Sequence, residues 1–317
     1  MRIVFMGTPE FAVPSLKLLV EQNYNIVAVV TQPDRPKGRK KTLTPPPVKE
    51  AALSLGLPVL QPERMKSADA VAAVAELRPD LIVTAAYGQI LPKGVLDLPR
   101  LGCINVHGSL LPKYRGGAPI QRSIMNGESS TGVTIMYMAE GLDTGDMISV
   151  VELPITDEDT SGTMFGKLSI AGAELLGRTL PSIIAGEAKA VPQQNELATY
   201  APNLTRADER IDWNKPARAI FNQVRGLSPM AGAFTYLNGE VFKVWACSAD
   251  DEAGDPASNA PGTVLRADNN GIQVQTGKGV LSLKEIQPAG KKTMNAADWL
   301  KGARLEAGTL FGDGGAE

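Results

Sequence analysis

Apolar runs alternate with amphipathic stretches along about the first 150 residues of the chain. The continuous apolar runs at 2–6, 25–31 and 81–88 are typical of strands that are buried on both faces. The stretches at 12–22 and 68–80 show the apolar spacing of helices instead. Strands that alternate with helices favour a parallel sheet, and we therefore predict an α/β, Rossmann-like parallel sheet domain.

The pattern changes near Arg206, after a polar stretch that contains two prolines. Short β-like runs then follow one another, and the Asn-Gly pairs at 238–239 and 270–271 are hairpin-turn signals. Several short strands within about 100 residues predict a small β-barrel of the OB-like type. We expect a catalytic domain at 1–187, a linker at 188–205 and a C-terminal β-barrel domain at 206–317.

Composition and charge limit the classes of function. The chain has 317 residues and a net charge of −2, so any nucleic-acid contact must come from local basic clusters. Its two cysteines lie far apart and form neither a disulfide framework nor a zinc pattern. No apolar run approaches the roughly 20 residues of a membrane-spanning helix, and a strand-like run begins at once. We expect a soluble, cytoplasmic protein with no membrane partner.

The only histidine, His107, lies near the end of a strand-like run at 101–108. The period of two in a strand puts the side chains of Cys103, Asn105 and His107 on one face. Gly108 ends the run near the edge where open α/β sheets bind their ligands. A lone histidine is more often a satisfied structural residue than a catalyst, and both interpretations remain open here.

A second polar group, Asp143, lies in the glycine-flanked turn GLDTGD at 141–146. Asp143 is either a turn residue that bonds the backbone or, if the two loops converge, a partner that holds His107. Asn105, His107 and Asp143 would then suit acid–base catalysis with oxyanion stabilisation. Without a second histidine or a cysteine pair a metal site is not expected, and the single glycine of GTPEFA argues against dinucleotide binding.

The stretch NVHGSLLPKYRGGAPIQ at 105–121, followed by GVTIMYMAEGLDTGDMI at 132–148, resembles the signature of the folate-dependent formyltransferases. FMGTPEFA, TQPDRPKGRKK, AYGQILP, EDTSGTM, RIDW and QPAGKK extend the resemblance over nearly the full chain. It implies formyl transfer from 10-formyltetrahydrofolate to an amine, with no metal, and a tRNA-binding C-terminal barrel. It implies catalytic roles for Asn105, His107 and Asp143, and a tetrahydrofolate site lined by Ser109, Leu110, Leu111 and Pro112.

The stretch at 87–91 ends a predicted strand at the same sheet edge. Its apolar residues and backbone suit the binding of a pterin ring, whereas a strand-ending turn with core packing explains the same pattern. The sequence leaves both interpretations open. The candidate folate contacts in this stretch are Tyr87, Gln89, Ile90 and Leu91.

A basic cluster lies in a long connection between α/β elements, where two to six residues are usual. Its members are Arg35, Lys37, Arg39, Lys40 and Lys41. A charge run is usually a solvated surface, but a basic loop beside the crevice would suit a phosphate-rich substrate. The resemblance implies that this loop contacts the acceptor end of initiator methionyl-tRNA, with Arg39 at the most important position. Lys291 and Lys292 are further candidates, in a C-terminal part that has 13 basic and 14 acidic residues.

Three functions remain open at this point. The first is transfer of the formyl group to the α-amino group of initiator methionyl-tRNA, through a tetrahedral intermediate stabilised by Asn105 and His107 with Asp143. The second keeps the folate co-substrate but uses a small-molecule amine, against which the basic loop and the second domain count. The third is a non-catalytic RNA-binding module on a Rossmann-like scaffold, against which the three polar residues count. We expect a monomer.

Overall fold

A computed structural model describes residues 1–38, 41–254 and 258–312. These residues form two compact units that each draw on separate stretches of the chain. The first unit contains residues 1–119, 130–154 and 165–202, and the second contains 120–129, 155–164 and the described residues from 203 onward. The domain and linker boundaries of the sequence analysis stay predictions.

The first unit combines nine strands with helices. The strands are β1 (Ile3–Gly7), β2 (Ile26–Val30), β3 (Arg35–Lys37), β4 (Thr42–Thr44), β5 (Val59–Leu60), β6 (Leu81–Ala85), β7 (Cys103–His107), β8 (Ser130–Tyr137) and β9 (Met147–Pro154). The helices are α1 (Val13–Glu21), α2 (Pro47–Ser54), α3 (Ala68–Glu76) and α4 (Lys93–Leu96), with one-turn 3-10 helices at Glu10–Ala12 and Asn195–Leu197. Two more helices, α5 (Pro119–Met125) and α6 (Ser161–Ala185), have residues in both units.

Seven of these strands form one sheet in the order β5-β2-β1-β6-β7-β8-β9. The first five strands in this order, β5, β2, β1, β6 and β7, pair in parallel, as predicted. The strands β8 and β9 are antiparallel to their neighbours, so the sheet is mixed rather than wholly parallel. Nine residues separate β8 from β9, which is too few for the crossover that a parallel pair needs. The predicted Rossmann-like α/β class is confirmed with this difference at one edge.

The core of the first unit lies against the central strands. All five residues of β1 and all five of β6 are buried, which explains why both sequences are apolar except for Thr84 in β6. One cluster on a face of the sheet includes Met6, Ile82 and Cys103. The side chains of Asn105 and His107 follow Cys103 at the period of two, so these two polar residues continue the same face of β7 beyond the apolar cluster. No described helix has the length and apolar character needed to span a membrane.

The described residues of the connection between β2 and α2 include a hairpin. The sequence analysis treats it as one long loop, but β3 and β4 pair there in antiparallel register. Gly38 and Lys41 both have φ in the left-handed region, which allows the chain to reverse between the two strands. Arg39 and Lys40 of the basic cluster lie outside the described residues.

Residues 191–201, here called the strap, lie in the stretch predicted to be a linker. Their backbone pairs with the first unit at both ends: Val191 forms an antiparallel bridge with Met147, and Tyr200 forms a parallel bridge with Arg115. The N–H of Ala118 also donates to the carbonyl of Ala201. The strap therefore satisfies backbone groups at both ends on Met147 of β9 and on the loop at 115–118, and between them it forms one turn of 3-10 helix.

The second unit is an antiparallel β unit with short helices. Its strands are β10 (Ala233–Leu237), β11 (Glu240–Asp250), β12 (Val264–Asp268), β13 (Gly271–Gln275), β14 (Val280–Gln287) and β15 (Met294–Asn295). Its other helices are α7 (Arg206–Glu209), α8 (Ala217–Leu227) and α9 (Ala296–Leu300). The strand order is β10-β11-β14-β13-β12, with β15 on β14. The predicted small antiparallel β domain is confirmed, and its closure into a barrel stays a prediction.

The two predicted hairpin turns differ in detail. Asn238 and Gly239 form the two-residue turn between β10 and β11, both with positive φ, as the Asn-Gly signal predicts. In the second hairpin Asp268 pairs with Gly271, so the turn residues are Asn269 and Asn270. The hairpin is confirmed there too, with Gly271 as the first residue of β13.

Candidate active site

Strand β7 presents Asn105 and His107 on the same face, as the period of two predicts. The His107 side chain is 6% exposed, and its backbone pairs with Thr134 of β8. Both neighbours of β7 are hydrogen-bonded strands, which fixes the position of the strand end. The two polar side chains therefore project from a rigid element rather than from a loop.

The His107 ring is oriented by a backbone carbonyl. Its Nε2 atom lies 3.1 Å from the carbonyl oxygen of Tyr114. A carbonyl oxygen can only accept, so this contact requires a hydrogen on Nε2. The other ring nitrogen, Nδ1, is then the atom that can gain or lose a proton, and it faces Asp143.

Asp143 comes from the turn between β8 and β9 and converges with His107. Its Oδ2 atom lies 3.7 Å from Nδ1 of His107, which is within ion-pair distance when the ring is protonated. The same oxygen accepts a hydrogen bond from the backbone N–H of Gly116 at 2.8 Å. Asp143 has φ +50°, so the glycine-flanked turn holds it in the left-handed region. The loop convergence on which the sequence hypothesis depends is present.

Asn105 is held through its amide oxygen. The hydroxyl of Thr84, on the neighbouring strand β6, lies 2.8 Å from Oδ1 of Asn105 and donates to it. No described residue accepts a hydrogen bond from the Asn105 Nδ2 group, and Asn105 is partly exposed. Asn105 thus has the character of an oriented hydrogen-bond donor.

Three polar residues that the sequence analysis did not single out surround this arrangement. They are Arg115, which is 2% exposed, and Gln193 and Asn195 of the strap. Gln193 Nε2 donates to the carbonyl oxygens of Asp143 and Gly145, both at 2.8 Å. Nothing in the sequence distinguishes Gln193 from its neighbour Gln194, so these contacts required the structure.

The predicted folate segment at 109–112 is held mainly by its own polar contacts. Ser109 is fully buried, and its hydroxyl donates to the carbonyl of Lys113 at 2.7 Å. Its carbonyl accepts from the hydroxyl of Thr134. Leu111 is buried, whereas Leu110 and Pro112 are partly exposed. The apolar surface that this segment offers to a ligand therefore comes from Leu110 and Pro112.

The second predicted folate segment is divided between core and surface. Tyr87 and Leu91 pack in the apolar cluster, and burial raises the pKa of the Tyr87 phenol to about 12. Gln89 accepts from the N–H of Met65 at 2.7 Å and so braces a neighbouring loop. Ile90 is 80% exposed and is the member of the four that offers open apolar surface.

The described members of the predicted tRNA contacts are exposed. Arg35 forms a 2.7 Å ion pair with Glu63, while Lys37 and Lys41 on the hairpin carry no ion pair to a described residue. Lys291 and Lys292 are exposed in the second unit. Within the described ranges, no group of three or more histidine, cysteine or acidic side chains is arranged for a metal ion.

The chain matches two family models. Residues 1–180 match the formyl transferase family, and residues 203–304 match the formyl transferase C-terminal domain. The chain therefore belongs to the formyl transferase family, and the resemblance seen in the sequence is confirmed.

Several similar bacterial proteins are named methionyl-tRNA formyltransferase. The chain is 54% identical over 317 residues to the methionyl-tRNA formyltransferase of Bacillus velezensis, covering 100% of this chain and 99% of that protein. It is 55% identical over 312 residues to the methionyl-tRNA formyltransferase of Bacillus subtilis, covering 98% of each. With relatives this similar over the full length, the protein is a formyl-transferring enzyme.

Solved structures with lower identity support the fold. An N-formyltransferase from Helicobacter canadensis, in complex with folinic acid and dTDP-3-aminofucose, has a TM-score of 0.64 at 17% identity, covering 89% of this chain and 98% of that one. HypX from Aquifex aeolicus, in complex with tetrahydrofolic acid, has a TM-score of 0.63 at 18% identity. That match covers 95% of this chain and 47% of HypX.

Proposed function

We propose that this enzyme transfers the formyl group of 10-formyltetrahydrofolate to the α-amino group of initiator methionyl-tRNA. The acceptor is inferred from the relatives at 54% and 55% identity over essentially the whole chain. The main structural support for this reaction is the 3.7 Å distance between Oδ2 of Asp143 and Nδ1 of His107. His107 lies on the same strand as Asn105. Such a site supplies both a hydrogen-bond donor and a proton-exchanging group at one crevice.

The reaction is an acyl transfer between nitrogens. A bond forms between the α-amino nitrogen and the formyl carbon, the bond from that carbon to N10 of the folate breaks, and the amine proton ends on N10 after relay. An α-amino group beside an ester is more acidic than a free terminal amine, whose ordinary pKa is near 7.7–8.0, so it is largely neutral in the cell and no covalent enzyme nucleophile is required.

Each residue of the site has a role in this reaction. Asn105 Nδ2 donates to the oxyanion of the tetrahedral intermediate, a type of contact that is worth roughly 3–4 kcal/mol. His107 exchanges the proton through Nδ1, because Nε2 is committed to the Tyr114 carbonyl. Asp143 orients the ring and balances the charge of its protonated form.

The folate co-substrate fits the surface beside these residues. The ends of β6 and β7 are adjacent in the sheet, and they lead into Ile90 and into Leu110 and Pro112 respectively. The exposed side chain of Ile90 and the partly exposed side chains of Leu110 and Pro112 offer apolar contact to a flat ring. We assign the folate to this edge and expect Tyr87, Gln89, Leu91, Ser109 and Leu111 to shape it from beneath.

The tRNA contacts are proposed for both units. The exposed hairpin lysines suit the phosphate-rich acceptor end, and Lys291 and Lys292 suit a second contact. A reaction on charged initiator tRNA places the enzyme in the cytoplasm, and we propose that it acts as a monomer.

A formyl-transfer assay with matched aspartate variants tests the proposal. Asp143→Asn and Asp146→Asn make the same chemical change in the same turn, but Asp146 is exposed and makes no described side-chain contact. We expect Asp143→Asn and His107→Ala to lower kcat with methionyl-tRNA at least a hundredfold, and Asp146→Asn to lower it less than threefold. Circular dichroism checks that each variant is folded.

The same assay distinguishes the acceptors. Methionyl-tRNA and small amines, including an amino sugar nucleotide and a glycinamide nucleotide, are offered side by side with 10-formyltetrahydrofolate. Faster turnover of a small amine than of methionyl-tRNA would contradict the proposed acceptor, and full activity of folded His107→Ala would contradict the catalytic assignment.

A further inference from the structure

The backbone of Asp143 is held by a clamp from the strap. Gln193 is 8% exposed, and its amide Nε2 donates to two carbonyl oxygens of one turn, those of Asp143 and Gly145, each at 2.8 Å. A side-chain amide has two N–H groups, so both are used here. Because Asp143 has left-handed φ, the turn needs contacts of this kind to hold its conformation.

Arg115 determines which way the Gln193 amide faces. Its Nε and Nη2 atoms donate to Oε1 of Gln193 at 3.0 and 2.8 Å, and Nη2 also donates to Oδ1 of Asn195 at 2.8 Å. A guanidinium can only donate and the two turn carbonyls can only accept. Only one of the two amide orientations of Gln193 satisfies all four contacts, so the arrangement is unambiguous.

The burial of Arg115 is difficult to explain as packing alone. Its side chain is 2% exposed, and within the described part of the chain no carboxylate lies at ion-pair distance. An arginine buried without a carboxylate partner is costly unless its hydrogen bonds are well made. The charge polarises the Gln193 amide, which strengthens the donation of Nε2 to the turn.

The residues next to Arg115 hold the same site from the other side. The Tyr114 carbonyl binds Nε2 of His107, and the Gly116 N–H binds Oδ2 of Asp143. Tyr114 thus contacts the His107 ring, and Gly116 contacts the Asp143 carboxylate. Arg115, between them, acts on the backbone of Asp143 through Gln193. We propose that Gln193, oriented by Arg115, is a positioning residue that sets Asp143 at its working distance from His107, an inference that rests on the proposed function.

Isosteric variants with a neighbouring control test this inference. Gln193→Met keeps the length of the side chain and removes both N–H donors, while Gln194→Met makes the same change at an exposed position. We expect Gln193→Met to lower kcat tenfold to a hundredfold, with KM for methionyl-tRNA and for the folate within threefold. Gln194→Met should match the wild type in all three values.

A double-mutant cycle separates positioning from general destabilisation. If Gln193 acts through Asp143, Gln193→Met should lower kcat less than twofold further in an Asp143→Asn background. A purely structural role would lower kcat by the same factor in both backgrounds, and this outcome would overturn the inference. The inference would also be overturned if Gln193→Met kept the wild-type kcat while Asp143→Asn lowered it. Full activity of Asp143→Asn would instead refute the proposed function.

The single histidine supplies a readout that does not depend on turnover. NMR of the imidazole ring observes His107 alone. We expect Gln193→Met to shift its resonances in the same direction as Asp143→Asn, and Gln194→Met to leave them in place. If Gln193→Met does not fold, Arg115→Lys serves instead, because it keeps the charge but loses the two-pronged contact with Oε1. Wild-type resonances and turnover in that variant would also contradict the inference.

Discussion

The ion pair between Asp208 and Arg122 in the second unit makes its stability depend on pH. Arg122 Nη1 lies 2.7 Å from Oδ1 of Asp208, and Nη2 lies 3.1 Å from Oδ2. Thr205 donates to Oδ2 from its N–H at 2.8 Å and from its hydroxyl at 2.9 Å. The Arg122 hydrogen bonds, together with those from Thr205, lower the pKa of Asp208 from 3.8 to about 2.

The magnitude and sign follow from this lowered pKa. Each unit of pKa is worth about 1.4 kcal/mol, so the ionised Asp208 stabilises the folded unit by about 2 kcal/mol at neutral pH. The side chain is 21% exposed, so this figure needs little reduction for solvent screening. Because the folded pKa is lowered, the stabilisation is complete well above pH 3.8 and is lost as the pH falls through 2. About half of it remains at pH 3.

Asp208→Asn therefore should lower the free energy of unfolding by about 2 kcal/mol at pH 7 and by about 1 kcal/mol at pH 3. All three tryptophans, Trp213, Trp245 and Trp299, belong to the second unit. Tryptophan fluorescence during urea unfolding thus reports on that unit alone. An equal loss at both pH values, or no loss at pH 7, would refute the electrostatic reasoning.

Asp268→Asn is the matched control for this experiment. Asp268 pairs with Arg266 at 3.0 Å, but both side chains are more than 40% exposed. Exposed pairs contribute little to stability. The control should therefore change the urea midpoint much less than Asp208→Asn and should not depend on pH in the same range.

Three further predictions concern the first unit. Lys37→Ala with Lys41→Ala should weaken methionyl-tRNA use and lower the slope of log kcat/KM against log salt by about 1–2. Alanines at the exposed control positions 17 and 66 should leave the slope unchanged. An unchanged slope in the double hairpin variant would show that the hairpin does not contact tRNA. Gly116→Ala should lower the melting temperature and the activity, since its φ is +124° and a Cβ would lie 2.6 Å from the Ala201 carbonyl oxygen; a wild-type melting temperature would contradict this. Tyr87→Phe should leave the melting temperature unchanged or raise it, because the buried hydroxyl finds no hydrogen-bond partner among the described residues. A marked fall in the melting temperature would contradict this and show that the hydroxyl forms a hydrogen bond.

The sequence predicts those features that depend on local periodicity. Alternating apolar runs suffice for the α/β class, and the period of two suffices to put Asn105 and His107 on one face. The Asn-Gly turn at 238–239 is a local signal and is confirmed. The antiparallel pairing of β7 with β8 joins strands that are separated by the residues at 108–129, and a pattern along one strand does not encode it.

The remaining features of the site depend on backbone atoms and on distant residues. The Tyr114 carbonyl and the Gly116 N–H contact the site through groups that every residue carries, so no side-chain pattern reveals them. Gln193 lies 50 residues from Asp143 in a stretch whose composition indicates a linker. Long-range polar contacts of this kind are set by tertiary packing, and the sequence shows only that polar residues are available there.

The geometry of the site depends on one contact between residues close in sequence and on others between residues far apart in sequence. His107 and the loop at 114–116 are close in sequence, so the ring is oriented by a local turn. Asp143 must be brought to that ring from another turn, and Gln193 must be brought to Asp143 from the strap. The strap pairs its backbone with Arg115 and with Met147, the first residue of β9, so the segment that carries Gln193 is attached beside both His107 and Asp143. The distance between Asp143 and His107 therefore depends on contacts from separate parts of the first unit rather than on any one loop, and the strap supplies one of these contacts through Gln193.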